Sequence, residues 1–71
     1  MKRLTDYVER MMRYARLKNT SAQSAEEYMH NAFGACEMFI CLYGDCEYEV
    51  VTKWNLEWKN QFEKIIQEKY N

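Results

Sequence analysis

The sequence predicts an all-α fold, a small three-helix bundle with helices at about residues 3–18, 22–43 and 46–69. Hydrophobic residues recur at three- and four-residue steps, which is the spacing of one helical face. There is no Pro, and Gly occupies only two of the 71 positions, so little in the composition interrupts long helices. Hydrophobic residues at 48% and charged residues at 30% fit one folded domain over residues 1–71.

The first predicted helix is amphipathic. Its apolar face carries Leu4, Tyr7, Val8, Met11, Tyr14 and Ala15. Asp6 and Glu9 lie near its start and Arg13 and Arg16 near its end, the order that the helix dipole favours. The face opposite the apolar one gathers basic residues, among them Arg3, Arg10, Arg13 and Arg16. This face is the one candidate for contacting phosphates or an acidic partner.

The second predicted helix is the centre of the fold. Its apolar face carries Ala25, Tyr28, Met29, Ala32, Cys36, Phe39, Ile40 and Tyr43. In its second half Met38, Cys41 and Leu42 lie off that face, so this part of the helix is apolar most of the way round. A helix of this kind is normally covered on more than one side.

The boundaries of the second helix follow from local signals. Capping-box spacings begin at both Thr20 and Ser24, and the sequence leaves open which of them starts the helix. Gly44 follows the last apolar residue and is predicted to end the helix in a left-handed conformation. Asp45 is predicted to cap the next helix, with Glu47 and Glu49 in its first turn.

The third predicted helix has an apolar stripe that fits about one third of a straight helical wheel. The stripe consists of Tyr48, Val51, Trp54, Trp58, Phe62, Ile65 and Ile66. Residues 48–58 also show the alternation of a β-strand, and their types suit one, so a strand remains an alternative there. We favour the helix because no second strand-like stretch exists for pairing.

The candidate chemical residues do not form a catalytic or metal-binding pattern. Cys36, Cys41 and Cys46 are five residues apart, and on a helix each such step turns by about 140°, which separates the thiols. A Cys41–Cys46 disulfide remains an alternative. His30 follows Glu26 by one turn, but no nucleophile or Gly-rich phosphate loop accompanies them. We therefore expect no enzyme activity, cofactor or small-molecule substrate.

The charge is unevenly distributed along the chain. Residues 1–18 carry a net charge of +4, residues 19–52 contain six acidic residues and no Lys or Arg, and the remainder carries +1. Pairing between the first two helices, Arg13 with Glu27 and Arg3 with Glu37, competes with nucleic-acid binding as a reason for the basic face. The acidic middle helix does not suit a DNA recognition helix. Mimicry of nucleic-acid charge by this segment is a further alternative.

Large apolar residues outnumber the core positions. Those off the three stripes are Leu17, Met38, Leu42, Val50 and Leu56. Met38, Leu42 and Leu56 are the predicted partner-binding residues, because an apolar patch on a small domain usually marks a protein interface. The predicted function is thus a non-enzymatic protein-interaction module that self-associates or binds and inhibits a larger protein. The alternative is a nucleic-acid-binding regulator that uses the basic face.

The sequence also favours a cytoplasmic location. Residues 1–18 lack the apolar segment of a signal peptide, and the odd cysteine count does not suit a disulfide framework. The longest apolar run covers residues 38–43, whereas a membrane helix needs roughly 20 such residues. We therefore expect no membrane partner.

Overall fold

The structure is a computed structural model that describes residues 2–71. Its elements are α1 (Lys2–Arg16), α2 (Ala22–Leu42), a 3-10 turn (Gly44–Cys46), α3 (Glu47–Lys53), a π-helical segment (Trp54–Trp58) and α4 (Lys59–Tyr70). The last three run on without a break, so residues 47–70 form one rod, called the third helix below. The all-α three-helix prediction is confirmed, and the strand alternative for residues 48–58 is wrong.

The middle helix packs against both of the others, as predicted. α2 packs against α1 and against α3 and α4 of the third helix, and α1 also contacts α4. The bundle measures 39 × 18 × 16 Å. The 15 residues of α1 span about 23 Å and the 21 residues of α2 about 32 Å, so α1 is shorter than α2 by about 9 Å.

The first turn of α2 is capped by Ser21. The backbone N–H of Ser24 donates to Ser21 Oγ at 3.1 Å, which satisfies one of the free donors of the first turn. The hydroxyl of Thr20 donates instead to the carbonyl of Tyr14 at 2.9 Å and so serves the end of α1. Neither of the two predicted capping boxes starts the helix, because Ser21, which lies between Thr20 and Ser24, is the N-cap residue.

The turn between α2 and the third helix does not use a left-handed glycine. No residue among 2–71 has a positive φ, so the predicted role of Gly44 is wrong. Tyr43 leaves the helix with φ −135° and ψ 57°, and the N–H of Cys46 then donates to its carbonyl at 2.9 Å. Asp45 lies inside this 3-10 turn and gives α3 no side-chain cap. A tight turn with negative φ therefore replaces the predicted cap.

The π segment sets which residues of the third helix face the core. Buried residues follow one another at four-residue steps: Val50, Trp54, Trp58, Phe62 and Ile66. In a straight α-helix each such step drifts by about 40°, which would turn Val50 about 160° away from Ile66. In the π segment the N–H of Lys59 donates to the carbonyl of Trp54, five residues back. This extra residue in one turn offsets about 100° of the drift.

Three predictions for the third helix are corrected by this geometry. Val50, predicted as surplus, is fully buried, whereas Val51 and Tyr48, predicted in the core, are exposed. The predictions assumed a straight helix and therefore chose the wrong face before the π segment. In α1 a similar exchange occurs, because Met12 is buried and Tyr14 is exposed at the edge, where its ring lies 5.7 Å from that of Tyr28.

Candidate interaction surfaces

The three predicted partner-binding residues are exposed to solvent. The exposed fraction is 60% for Met38, 66% for Leu42 and 70% for Leu56. Leu17, another predicted surplus residue, is also exposed. Apart from Val50, the large apolar residues that the sequence places off the core stripes therefore lie on the surface.

The structure places these three residues on two different surfaces. Met38 and Leu42 are one turn apart on α2, which makes them neighbours on one ridge. Leu56 lies in a shallow pocket of about 410 Å³ that the third helix lines alone. The lining residues are Tyr48, Glu49, Thr52, Lys53, Leu56 and Glu57. Leu56 therefore lies on an exposed face of the third helix, in a pocket whose lining includes neither Met38 nor Leu42.

The ridge belongs to the end of the bundle that holds residues 38–48, called the open end below. The ring centroid of Tyr43 lies 4.9 Å from that of Phe39, and Tyr43 and Tyr48 are both exposed. Within residues 2–71, the side-chain hydrogen bonds and ion pairs all lie outside this segment. The open end is thus held by its backbone turn and by apolar contacts.

Polar side chains tie the helices together at the opposite end, the clamped end, formed by residues 14–26 and 66–70. The ammonium group of Lys69 donates to the carbonyls of Leu17 and Thr20 at 2.9 and 2.8 Å, across the connector between α1 and α2. The hydroxyl of Tyr70 donates to Glu26 Oε1 at 3.0 Å. That hydrogen bond, together with the nearby carboxylate charge, raises the pKa of Tyr70 above 10.0.

The predicted basic face on α1 is exposed along its length, with Arg3, Arg10, Arg13 and Arg16 all at the surface. Arg13 and Arg16 line a pocket between α1 and the third helix, but Glu9 and Glu57 line it too. The pairs Arg13–Glu27 and Arg3–Glu37 are not among the ion pairs that residues 2–71 form. The pocket beside the basic face is therefore lined by charges of both signs.

The three cysteines are free thiols in different environments. Burial raises the pKa of Cys36 to about 11, so this thiol stays protonated and unreactive near neutral pH. Cys41 is exposed and Cys46 is half-buried. The carboxylate of Glu26 is engaged by Tyr70, not by the exposed His30. In the described part of the chain, no three His, Cys, Asp or Glu residues come together as metal ligands.

A long groove runs between α2 and the third helix. Three pockets of about 440, 360 and 320 Å³ follow one another along it. They form one groove because neighbouring pockets share lining residues. The shared residues are Met29, His30 and Glu63 for the first two pockets, and Phe33, Trp54 and Asn55 for the last two. This surface was missed at the level of sequence.

The signal for this groove is a second apolar stripe on α2. Met29, Phe33, Cys36 and Ile40 follow steps of four, three and four residues, beside the stripe that contains Tyr28 and faces α1. Phe33 is a large apolar residue that does not belong to the single apolar face predicted for this helix. It is exposed, and its ring centroid lies 5.2 Å from that of Trp54. Two adjacent stripes indicate that α2 is built to face two neighbours.

Within residues 2–71, every helix falls short of the length and apolar character that crossing a bilayer requires. Comparisons with protein-family models, with curated proteins and with solved structures found no match for this chain.

Proposed function

We propose that this chain is a small, non-enzymatic protein-binding module that self-associates or binds and inhibits a larger protein. The observation that carries the proposal is the ridge of Met38 and Leu42, two large apolar side chains one turn apart and each more than half exposed. Fully burying a side chain of this size is worth about 1.5–3 kcal/mol. A partner that covered both would therefore gain a useful part of its binding energy there.

The shape of the open end supports the proposal. α2 is longer than α1 by about 9 Å, so its last turns have less of the bundle to cover them. Tyr43 adds an exposed ring beside the ridge. Free cysteines fit a reducing, cytoplasmic setting, which is part of the proposal.

Sedimentation equilibrium over a wide concentration range tests the self-associating version. We expect the apparent mass of the wild type to rise with concentration and Met38→Glu to remain monomeric. Asn31→Glu is the matched control, because Asn31 is exposed and lies two turns earlier on the same side of α2. A wild type that stays monomeric at millimolar concentration overturns this version.

A photo-crosslinking amino acid at position 38 tests the version with a larger partner. In the native host we expect it to crosslink to one defined protein, with the crosslink absent when the same group is at position 31. Leu42→Glu should abolish it, because both residues form the ridge. If position 38 yields no more crosslinking than position 31, and the chain is also monomeric, the ridge is not an interface.

The alternative function, nucleic-acid binding through Arg3, Arg10, Arg13 and Arg16, predicts a different result. Affinity for duplex DNA or RNA would fall steeply with salt, and changing Arg10, Arg13 and Arg16 together to Gln would abolish it. Glu9 and Glu57 line the pocket beside Arg13 and Arg16 and lower its positive charge, although Lys53 lines it too and lies 3.4 Å from Glu57. No retention on nucleic acid at low salt would remove this alternative.

A further inference from the structure

We propose that the groove between α2 and the third helix is a docking site for one amphipathic, basic helix of another protein. The inference deepens the proposed protein-binding function and rests on it. It concerns a surface other than the ridge of Met38 and Leu42, and it specifies the chemistry of the partner. The occupant would complete a four-helix arrangement by lying against both α2 and the third helix.

The dimensions of the groove fit a helix of about four turns. On α2 its lining extends from Glu26 to Ile40, which is a distance of about 21 Å along the helix axis. Met29, Phe33 and Ile40 follow one another along that length at helical spacing. Trp54 lies on the opposite wall, on the third helix. Apolar residues on one face of the occupant, at steps of three and four, would meet these side chains in turn.

The charges along the groove select a basic occupant. Its lining includes the carboxylates of Glu26, Glu37 and Glu63 and a single ammonium group, that of Lys59, which is 4.0 Å from Glu63. Residues 19–52 contain no Lys or Arg, so His30 is the basic side chain that α2 adds to this lining. Lys or Arg residues beside the apolar face of the occupant would complement this rim and set its orientation.

A second copy of this chain is a poor match for the groove. The basic helix α1 has its apolar side buried in its own core, through residues such as Val8 and Met11. Two copies joined groove to groove would place the carboxylates of one rim opposite those of the other, and such juxtaposed like charges destabilise an interface. The groove therefore favours a helix from a different protein.

Designed peptides of about 15 residues provide the test. The first has Leu on one helical face and Lys elsewhere, the second has the same composition in scrambled order, and the third has Glu in place of Lys. We expect saturable one-to-one binding of the Leu/Lys helix alone, measured by Trp fluorescence and by amide shifts in NMR spectra. The shifts should concentrate at Met29, Phe33 and Asn55 and leave Arg13 unchanged.

Two substitutions locate the binding in the groove. Phe33→Ala should weaken the Leu/Lys helix about tenfold, as truncation of a central anchor does. Glu37→Lys should also weaken this peptide and should strengthen the Leu/Glu helix, because the rim then changes sign. Leu17→Ala and Tyr48→Ala are the matched controls, since both residues have large exposed side chains outside the groove lining. Neither control should change the affinity.

The outcomes separate this inference from the proposed function. Equal binding of the scrambled peptide, or unchanged affinity in Phe33→Ala, overturns the groove as a docking site. If no peptide binds while the wild type self-associates through Met38, the groove inference is wrong and the proposed function stands. If the Leu/Lys helix binds as expected while the ridge shows neither self-association nor crosslinking, the groove is supported and the ridge is not an interface.

Discussion

Polar side chains hold one end of this bundle, and apolar contacts hold the other. At the clamped end, Lys69 bridges the connector between α1 and α2, and Tyr70 is bonded to Glu26. At the open end, the turn after α2 relies on its own backbone hydrogen bonds, and Met38 and Leu42 remain exposed. In a chain of 71 residues the core alone is small, so an end without polar ties depends on packing or on a partner.

The difference between the ends also separates their tasks. At the clamped end, Lys69 donates to the carbonyl of Thr20 and adds a second hydrogen bond to the carbonyl of Leu17, which also accepts from the N–H of Thr20. These hydrogen bonds join α4 to the connector and so contribute to stability. The exposed apolar residues of the open end contribute little to the stability of one protomer, and so they are available for binding. Substitutions at Val50, near the junction of the two halves of the third helix, should therefore cost more stability than substitutions in the clamp.

The largest expected effect is at Val50, the core residue of the third helix nearest the open end. Val50→Asp should lower the free energy of unfolding by at least about 3 kcal/mol, because it places an unpaired charge in the core. Val51→Asp, the matched control on the exposed side, should cost about 1 kcal/mol or less. Urea denaturation followed by circular dichroism measures both. The reverse order would mean that the helix is straight and that the π segment is absent.

A smaller effect is expected at the clamp. Lys69→Met removes the donor to the carbonyls of Leu17 and Thr20 while it retains most of the length of the side chain. It should lower the free energy of unfolding by about 1 kcal/mol, since the site is partly solvated. Lys64→Met on the same helix is the matched control, because Lys64 is exposed, and it should have little effect. Equal stability of the two variants in urea would show that the clamp contributes nothing.

The smallest effect, and one that depends on pH, is expected for Tyr70→Phe. The pKa of Tyr70 is raised in the folded state by its hydrogen bond to Glu26, so folding favours the protonated phenol. The stabilisation is present below the unfolded pKa of about 10 and is lost as pH rises through the higher folded value. Wild type should therefore exceed Tyr70→Phe slightly in melting temperature at pH 7, and the difference should shrink above pH 10. If the difference in melting temperature between the two proteins stays the same from pH 7 to above pH 10, the titration of Tyr70 is not its cause.

Helical periodicity was sufficient to predict the fold class and the three rods. The stripes of α1 and α2 carry strong three- and four-residue spacing, and the absence of Pro leaves long helices uninterrupted. The exposure of Met38, Leu42 and Leu56 also followed from their positions off those stripes. These features depend on the hydrophobic pattern alone, and that pattern can be read from a single sequence.

The features that could not be predicted depend on backbone geometry beyond a straight helix. The wheel that placed Val51 inside and Val50 outside failed because a π turn between them and Phe62 rotates one half of the helix against the other. The unbroken four-residue spacing from Val50 to Ile66 was the available signal. The predicted left-handed stop at Gly44 failed because the chain turns there with negative φ. The start of α2 was left open between Thr20 and Ser24, and Ser21 caps it, because local capping rules do not decide between neighbouring candidates.

The Lys69 bridge has a consequence for the order in which the chain folds. Its ammonium group joins residues separated by 52 and 49 positions in the sequence, so the bond forms only after the third helix has docked. The hairpin of α1 and α2 can assemble earlier from residues that are near in sequence, before Lys69 reaches the carbonyls of Leu17 and Thr20. We expect the amides at this connector to gain protection from hydrogen exchange late in refolding, together with those of α4.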